Sequence, residues 1–197
     1  MQASREEGET AMRALVVYES MYGNTRQIAE RVAKGLRSTF EQVDLRRVVD
    51  ADVVLVMHAD LVVTGGPTHA HGVSMAQTRQ AAAKEPERYG AGAPLEPGAD
   101  GIGLREWFRG LPRLSGSAAA FDTKADAPAA FTGRASIGLA RRLRRTGLVM
   151  VDQPKSFLLI KGGGLKAGEA DRAEQWGRVI GQAASKALAL GSRRHAE

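Results

Sequence analysis

Three short segments of this sequence concentrate the residue types that bind small anionic ligands. The first follows the apolar run 14–18 and precedes a helical pattern. A glycine in it lets the backbone approach a ligand closely, and the free N–H groups at a helix start attract a phosphate. The alternative is an ordinary strand-to-helix turn in which Asn24 or Thr25 caps the helix. The residues of this segment are Ser20, Met21, Tyr22, Gly23, Asn24 and Thr25.

The second segment follows the apolar run 61–64 and is rich in glycine and histidine. Gly65 and Gly66, followed by a proline, favour a tight loop that can lie against a planar ring. Two histidines at i,i+2 with no third ligand nearby are a weak metal signal, so contact with a ring or a plain loop role is preferred. The candidate residues are Pro67, Thr68, His69, Ala70, His71 and Gly72.

The third segment comes directly after the apolar run 117–120 and contains Phe121, Asp122, Thr123 and Lys124. Main-chain groups at the carboxyl end of a strand face the crevice in which open α/β sheets bind ligands. Asp122 is interpreted as a loop-capping aspartate rather than a catalytic acid, and no residue is assigned a catalytic role.

Short apolar runs alternate with helical patterns, and these elements must position the three segments. Strands are predicted at 14–18, 43–45, 61–64 and 117–121, with a fifth at 148–151 and 157–160 that is split by 152–155. Apolar residues at three- and four-residue spacing predict helices near 28–36, 76–83, 104–111, 134–146 and 169–190. Residues 51–58 are interpreted as the approach to the third strand, and 84–103 as a surface excursion.

Apolar strands that alternate with helices indicate an α/β fold, a three-layer sandwich with helices on both faces of a five-stranded parallel sheet. The strands fit the order 2-1-3-4-5, in which ligands bind at the switch point between the first and third strands. A single domain is expected over 13–191, with tails at 1–12 and 192–197. Because each of the three segments follows a strand, this fold brings them to one edge of the sheet.

The three segments, taken in this order, resemble those of the flavodoxin family. Residues 18–25 are similar to its phosphate-binding loop, written T/S-x-T-G-x-T, residues 65–69 to its second flavin loop, and residues 120–123 to its third. The resemblance extends over roughly residues 13–190. It implies the flavodoxin-like fold and one non-covalently bound flavin mononucleotide (FMN).

The resemblance also implies a role for each segment. Residues 67–72 would line one side of the isoalloxazine ring, and residues 121–124 its pyrimidine end. Tyr22 stands where many family members carry a second hydroxyl residue. The third loop lacks the aromatic residue that often stacks on the flavin, so the ring is either more exposed or stacked by His69 or Phe121. The phosphate would be held by Ser20, Tyr22, Asn24 and Thr25.

Competing nucleotide-binding motifs are incomplete in this sequence. The run 163–168 has the glycine spacing of a P-loop, but Glu169-Ala170 follows in place of Lys-Ser/Thr. No Gly-x-Gly-x-x-Gly follows the first strand, which argues against a dinucleotide fold. A response regulator needs paired acidic residues after that strand, where only Glu19 is present.

The composition excludes several other classes of protein. The 197 residues contain no cysteine, so disulfides, thiol catalysis and iron–sulfur clusters are excluded. The net charge is +6, but only 5% of residues are aromatic, so few stacking platforms exist and nucleic acid is not the expected partner. No apolar run has the length of a membrane span, and the polar residues 1–10 do not resemble a secretory signal, so a cytoplasmic location is expected.

The expected function is that of an FMN-binding redox protein that passes electrons to a redox partner protein or a small acceptor. One alternative is an NAD(P)H-dependent flavoenzyme that reduces a quinone-type acceptor, with 84–103 as a substrate lid. Another is a flavin-free interaction domain of the same fold. The arginine cluster at 141, 142, 144 and 145 is interpreted as a solvated helix flank, with docking of an acidic protein partner as the alternative.

Overall fold

The computed structural model describes residues 11–69, 71–86 and 93–194, with side chains as far as residue 191. The strands are β1 (Arg13–Tyr18), β2 (Gln42–Arg47), β3 (Leu61–His69), β4 (Gly72–Val73), β5 (Ser117–Ala125), β6 (Val149–Met150) and β7 (Lys155–Leu159). The helices are α1 (Asn24–Leu36), α2 (Val53–Met57), α3 (Ala76–Lys84), α4 (Leu104–Trp107), α5 (Ala129–Thr132), α6 (Ala135–Thr146) and α7 (Glu169–Arg194). Two 3-10 turns lie at Val48–Asp50 and Phe108–Gly110.

The parallel sheet has the order β2-β1-β3-β5, and β6 and β7 both pair with the free edge of β5. Strand β6 pairs with residues 117–118 and β7 with residues 121–125, so the two occupy one strand position in succession. The predicted order 2-1-3-4-5 is therefore confirmed, including the split in the fifth strand. Strand β4 adds a short antiparallel pairing to the end of β3.

Two apolar clusters cover the two faces of the sheet. Helices α1 and α7 pack over the face that carries Val16 and Val63. Helix α6 and the segment around Trp107 cover the opposite face, which carries Leu15 and Val62. Because successive side chains of a strand point to opposite faces, a strand buried on both sides is apolar throughout, as β1 is. The three-layer sandwich is thus confirmed.

The structure differs from the sequence-based expectation in the conformation of residues 53–57 and in the length of two strands. Residues 53–57 form helix α2 rather than an extended approach, and Asp52 caps it by accepting a hydrogen bond from the Val54 N–H at 2.9 Å. Strand β3 continues through Gly65 to His69, because β5 pairs with it as far as Pro67 and β4 pairs with Thr68 and His69. Strand β5 continues to Ala125, because β7 pairs with its second half.

The last helix continues past Gly191, which was expected to end it, and reaches Arg194. Residues 1–10 and 195–197 of the expected tails lie outside the described residues. None of the helices in the described ranges combines the length and the apolar character that a membrane span requires.

Candidate functional site

A cleft of about 330 Å³ opens at the carboxyl ends of β1, β3 and β5. It lies at the switch point where ligands bind in open α/β sheets. Ten of the sixteen predicted site residues line it: Ser20, Met21, Tyr22, Asn24, Thr25, Pro67, Thr68, His69, Thr123 and Lys124. Members of all three sequence segments therefore meet in one place.

The start of helix α1 forms one end of this cleft. Gly23 precedes the helix in the left-handed conformation, with φ of 87°, which glycine adopts without strain. The Ser20 hydroxyl accepts a hydrogen bond from the Gly23 N–H at 3.1 Å and so fixes the turn. No side chain caps the helix, and no acidic residue occupies its first turn. The N–H groups of the helix start are therefore left without a side-chain cap beside the cleft.

Two threonine hydroxyls join the first and third segments. The Thr25 and Thr123 Oγ1 atoms are 2.8 Å apart, and both residues are buried. Each hydroxyl can donate one hydrogen bond and accept two, so this pair keeps capacity for a further polar contact. The hydroxyl pair fixes the distance between helix α1 and strand β5 at the edge of the cleft.

Helix α3 forms a wall of the cleft that the sequence segments did not include. Thr78 and Ala81 of this helix line the cleft, as do Ala125 and Leu159 from the ends of β5 and β7. The Tyr22 hydroxyl donates to the Ala82 carbonyl at 2.5 Å, which ties the first segment to α3. The polar hydroxyl of Tyr22 is thus engaged by the protein, while its half-buried ring lies in the cleft wall.

The two histidines have different environments. His69 lines the cleft, and burial, followed by the charge of Arg79, lowers its pKa below the ordinary value, so the ring is neutral at pH 7. His71 is exposed, with φ of 68° in the turn between β3 and β4, and does not line the cleft. No group of metal-ligating side chains occurs among the described residues. Ala70 lies outside those residues.

Phe121 and Asp122 do not contact the cleft, because β5 extends through them and buries both completely. The Phe121 ring packs edge-on against Phe157 and Trp176 in the core, so it is unavailable to stack on a ligand in the cleft. The Asp122 Oδ2 accepts from the Ser136 N–H at 2.7 Å, which places the carboxylate at the start of α6. Its capping role therefore serves a helix rather than a loop.

Gly65 and Gly72 also have roles other than the predicted contact with a ring. A Cβ atom on Gly65 would lie 1.9 Å from Phe121 Cζ, so this glycine makes room for the buried phenylalanine. Gly72 pairs with His69 in the β3–β4 hairpin and does not line the cleft.

Lys124 lines the cleft, but its ammonium group is engaged by the protein. It donates to the carbonyls of Ala125 and Ala127, at 3.1 and 2.6 Å, and to the Thr132 hydroxyl at 3.1 Å. Lys124 therefore organises the chain after β5. The formal charge of Lys124 and the N–H groups at the start of α1 both add positive potential to the cleft.

The described part of the excursion, residues 93–103, is attached to the outside of the first segment. The Glu96 N–H donates to the Met21 carbonyl at 2.8 Å, and the Glu96 carboxylate pairs with Arg26 at 2.5 Å. Arg47 donates to the Pro97 carbonyl at 3.0 Å. None of these eleven residues lines the cleft. The described part of the excursion therefore contacts the turn at 20–25 on the side that faces away from the cleft.

A buried polar network underlies the same turn. The Glu19 Oε2 accepts from the Leu104 N–H at 2.9 Å, whereas its Oε1 has no hydrogen-bond partner. Burial raises the pKa of Glu19 above its ordinary value, although Leu104 and Arg79 act in the opposite direction. Arg79 is buried and donates to Ser74, Gly101 and Glu106. The network ties β1, α3 and α4 together behind the cleft.

Comparisons with known proteins agree with this geometry. Residues 16–97 match the sequence model of the flavodoxin family. A flavodoxin from the domain Archaea is 18% identical, with 88% of this chain and 99% of that chain covered and a TM-score of 0.58. Oxidised Flavodoxin 1 from Bacillus cereus is 14% identical, with 86% and 97% covered and a TM-score of 0.57.

Larger proteins contain the same fold as one part. The rubredoxin oxygen:oxidoreductase of Desulfovibrio gigas is 18% identical, and the match covers 90% of this chain but 37% of that protein, with a TM-score of 0.57. No curated protein matches the sequence. Proteins of the flavodoxin family bind FMN non-covalently. The chain therefore has a flavodoxin-like fold over most of its length, and its residues 16–97 match the sequence model of the flavodoxin family.

Proposed function

We propose that this protein binds one FMN in the cleft at the carboxyl ends of β1, β3 and β5 and carries electrons through it. The single observation that carries the proposal is the uncapped start of α1, which opens into a cleft lined by members of all three segments. FMN supplies the redox chemistry when bound, because its isoalloxazine ring accepts and releases electrons. The protein residues bind and orient it.

The phosphate of FMN would lie at the start of α1. Backbone N–H groups of the first helical turn supply most of the hydrogen bonds, as they do in other phosphate sites at helix starts. Ser20, Asn24 and Thr25 add side-chain donors around the same point. The left-handed Gly23 turn fits this role, because it holds the backbone in the concave shape that an anion needs.

The ring would lie between the end of β3 and the wall formed by Tyr22 and α3. Thr68 and the neutral His69 line one side, and Thr123 the other. A neutral imidazole offers one donor and one acceptor, so His69 can hydrogen-bond to a polar edge of the ring without adding charge. Phe121 has no part in this arrangement, which leaves Tyr22 and His69 as the candidates for stacking.

Electron transfer to a protein partner is favoured over reduction of a small substrate. Ala81 and Ala125 at the rim of the cleft are exposed, small and apolar, so a partner surface can approach the ring. The interpretation of the excursion as a substrate lid loses support, because residues 93–103 contact the turn at 20–25 and do not line the cleft. The proposed partner is therefore a redox protein that contacts the rim.

The visible spectrum and the behaviour with NADPH test this proposal. We expect the purified protein, after incubation with FMN and gel filtration, to be yellow with one FMN per chain. Anaerobic NADPH alone should leave the flavin oxidised, whereas NADPH with a flavodoxin reductase should bleach it. Direct bleaching by NADPH would support the enzyme alternative, and a colourless protein would contradict both.

A further inference from the structure

A second cleft, of about 420 Å³, lies between helix α6 and residues 105–113. Five arginines line it: Arg105 of α4, Arg109 and Arg113 from the segment that follows α4, and Arg142 and Arg145 of α6. No acidic residue lines it. Two distant stretches of the chain, residues 105–113 and 142–146, thus converge on one concavity, which we call the arginine cleft.

The positive charge of the arginine cleft is not neutralised by the protein. None of the five arginines forms an ion pair with a carboxylate in the part of the chain that the structure describes. Arg105 donates only to the carbonyls of Val73 and Ser74, and Arg142 to the Gly138 carbonyl. Burial and then the charges of Arg105, Arg145 and Arg109 lower the pKa of Arg142, as expected of crowded guanidinium groups.

The arginine cleft is separate from the cleft at the carboxyl ends of the strands. The two share no lining residue. Helix α6 begins beside the first cleft, where its Ala135 N–H donates to Thr68, and its last residue, Thr146, lines the second. With 12 residues, the helix is about 18 Å long, so a group bound near Thr146 is remote from the flavin site. Docking an electron-transfer partner there would not bring it to the ring.

The shape and chemistry of the arginine cleft favour a small ligand over a protein surface. Its volume falls in the range of about 300–1,000 Å³ that holds small molecules. Guanidinium groups bind phosphate oxygens in pairs, and several converging guanidiniums fit more than one phosphate group. We propose that the arginine cleft binds a compact ligand with two or more linked phosphate groups.

Inorganic pyrophosphate is the probe, titrated calorimetrically into the full-length protein at low ionic strength. The test variant is Arg109→Gln with Arg145→Gln, which removes two charges from the cleft. The matched control is Arg141→Gln with Arg144→Gln. It removes two charges from exposed positions of helix α6 that do not line the arginine cleft. Thermal melting of both variants checks that they are folded.

We expect pyrophosphate to bind the wild type and the control equally and the test variant about tenfold or more weakly, because two charge-assisted contacts are lost. FMN affinity should be the same in all three proteins, which separates this result from the flavin proposal. Equal weakening in both variants would show that net charge alone attracts the anion and would overturn the inference. An acidic peptide that binds where pyrophosphate does not would also overturn it.

Discussion

The two clefts of this protein offer different groups to an anion. The cleft at the carboxyl ends of the strands offers hydroxyl groups and an uncapped helix start, and the ammonium group of the nearby Lys124 is hydrogen-bonded to carbonyls. The arginine cleft offers five guanidinium groups, from α6 and from residues 105–113, that form no ion pair with a carboxylate among the described residues. The first cleft depends on the position of the backbone, and the second on side-chain charge.

Net charge is therefore a poor guide to where the proposed flavin site lies in this chain. The +6 charge draws attention to the arginines, whereas the cleft at the carboxyl ends of the strands contributes little formal charge. A site made by the backbone is sensitive to small displacements, and a site made by long charged side chains is sensitive to salt. The two can be distinguished experimentally.

The largest expected effect is the loss of stability in Gly65→Ala. This variant tests whether strand β3, which lines the first cleft, requires a glycine next to the buried Phe121. The new Cβ would lie 1.9 Å from Phe121 Cζ in the buried core. We expect a loss of roughly 3 kcal/mol in the free energy of unfolding, measured by chemical denaturation. The matched control is Gly72→Ala, where nothing lies within 4 Å of the new Cβ. A control variant as unstable as Gly65→Ala would contradict the assignment.

Thr25→Ala comes next and tests the phosphate end of the same cleft. It removes a hydroxyl that lies 2.8 Å from Thr123 Oγ1 and lines the cleft. A charge-assisted hydrogen bond is worth roughly 1.5–3 kcal/mol, so FMN should bind about 10- to 150-fold more weakly, measured by flavin fluorescence quenching. Thr25→Ser, which keeps the hydroxyl, should retain most of the affinity. Equal losses in both variants would indicate a packing role instead.

Ionic strength gives a third, smaller contrast between the clefts. Because exposed charges are screened more than buried ones, pyrophosphate affinity should fall about tenfold between roughly 0.05 and 0.5 M NaCl. FMN affinity should change by less than about threefold over the same range. Parallel salt dependence for both ligands would remove the distinction between the two kinds of site.

The smallest expected effect concerns the buried Glu19 behind the phosphate turn. Since burial raises its folded pKa, its stabilising contribution is complete below the unfolded pKa and is lost as pH rises through the folded pKa. Relative to Glu19→Gln, the wild type should therefore lose stability as pH rises from about 5 to 8. Glu30→Gln, at a side chain that is 48% exposed, should show no such difference from the wild type. The measurement is urea denaturation at each pH.

Much of the fold could be predicted from the sequence, because its signals are local. The apolar run of β1, the helical spacing of α1 and the polar turn between them lie within a short stretch of chain. Five alternating units fit the strand order 2-1-3-4-5, and the residues 152–155 indicated the split in the fifth strand. The 20–25 turn was also located correctly at the edge of the sheet, although its binding role stays a proposal.

The errors in the site arose where tertiary pairing overrides local signals. Gly65 was expected in a loop and Phe121 at the end of a strand facing the site, but both lie inside strands because neighbouring strands extend the pairing. The contribution of Thr78 and Ala81 gave no sequence signal, since small residues on a short helix have no distinctive pattern. The arginine cleft depends on the meeting of two distant segments, which spacing along the chain does not reveal.

Isothermal titration of the apoprotein with FMN and with riboflavin is the direct test of whether the start of α1 binds the phosphate of FMN. The two ligands share the ring and differ by the phosphate. If the start of α1 binds that phosphate, FMN should bind at least about a hundredfold more tightly than riboflavin, since several charge-assisted hydrogen bonds are at stake. Equal affinities for the two ligands would show that the turn at 20–25 does not bind the phosphate and would contradict the proposed flavin site.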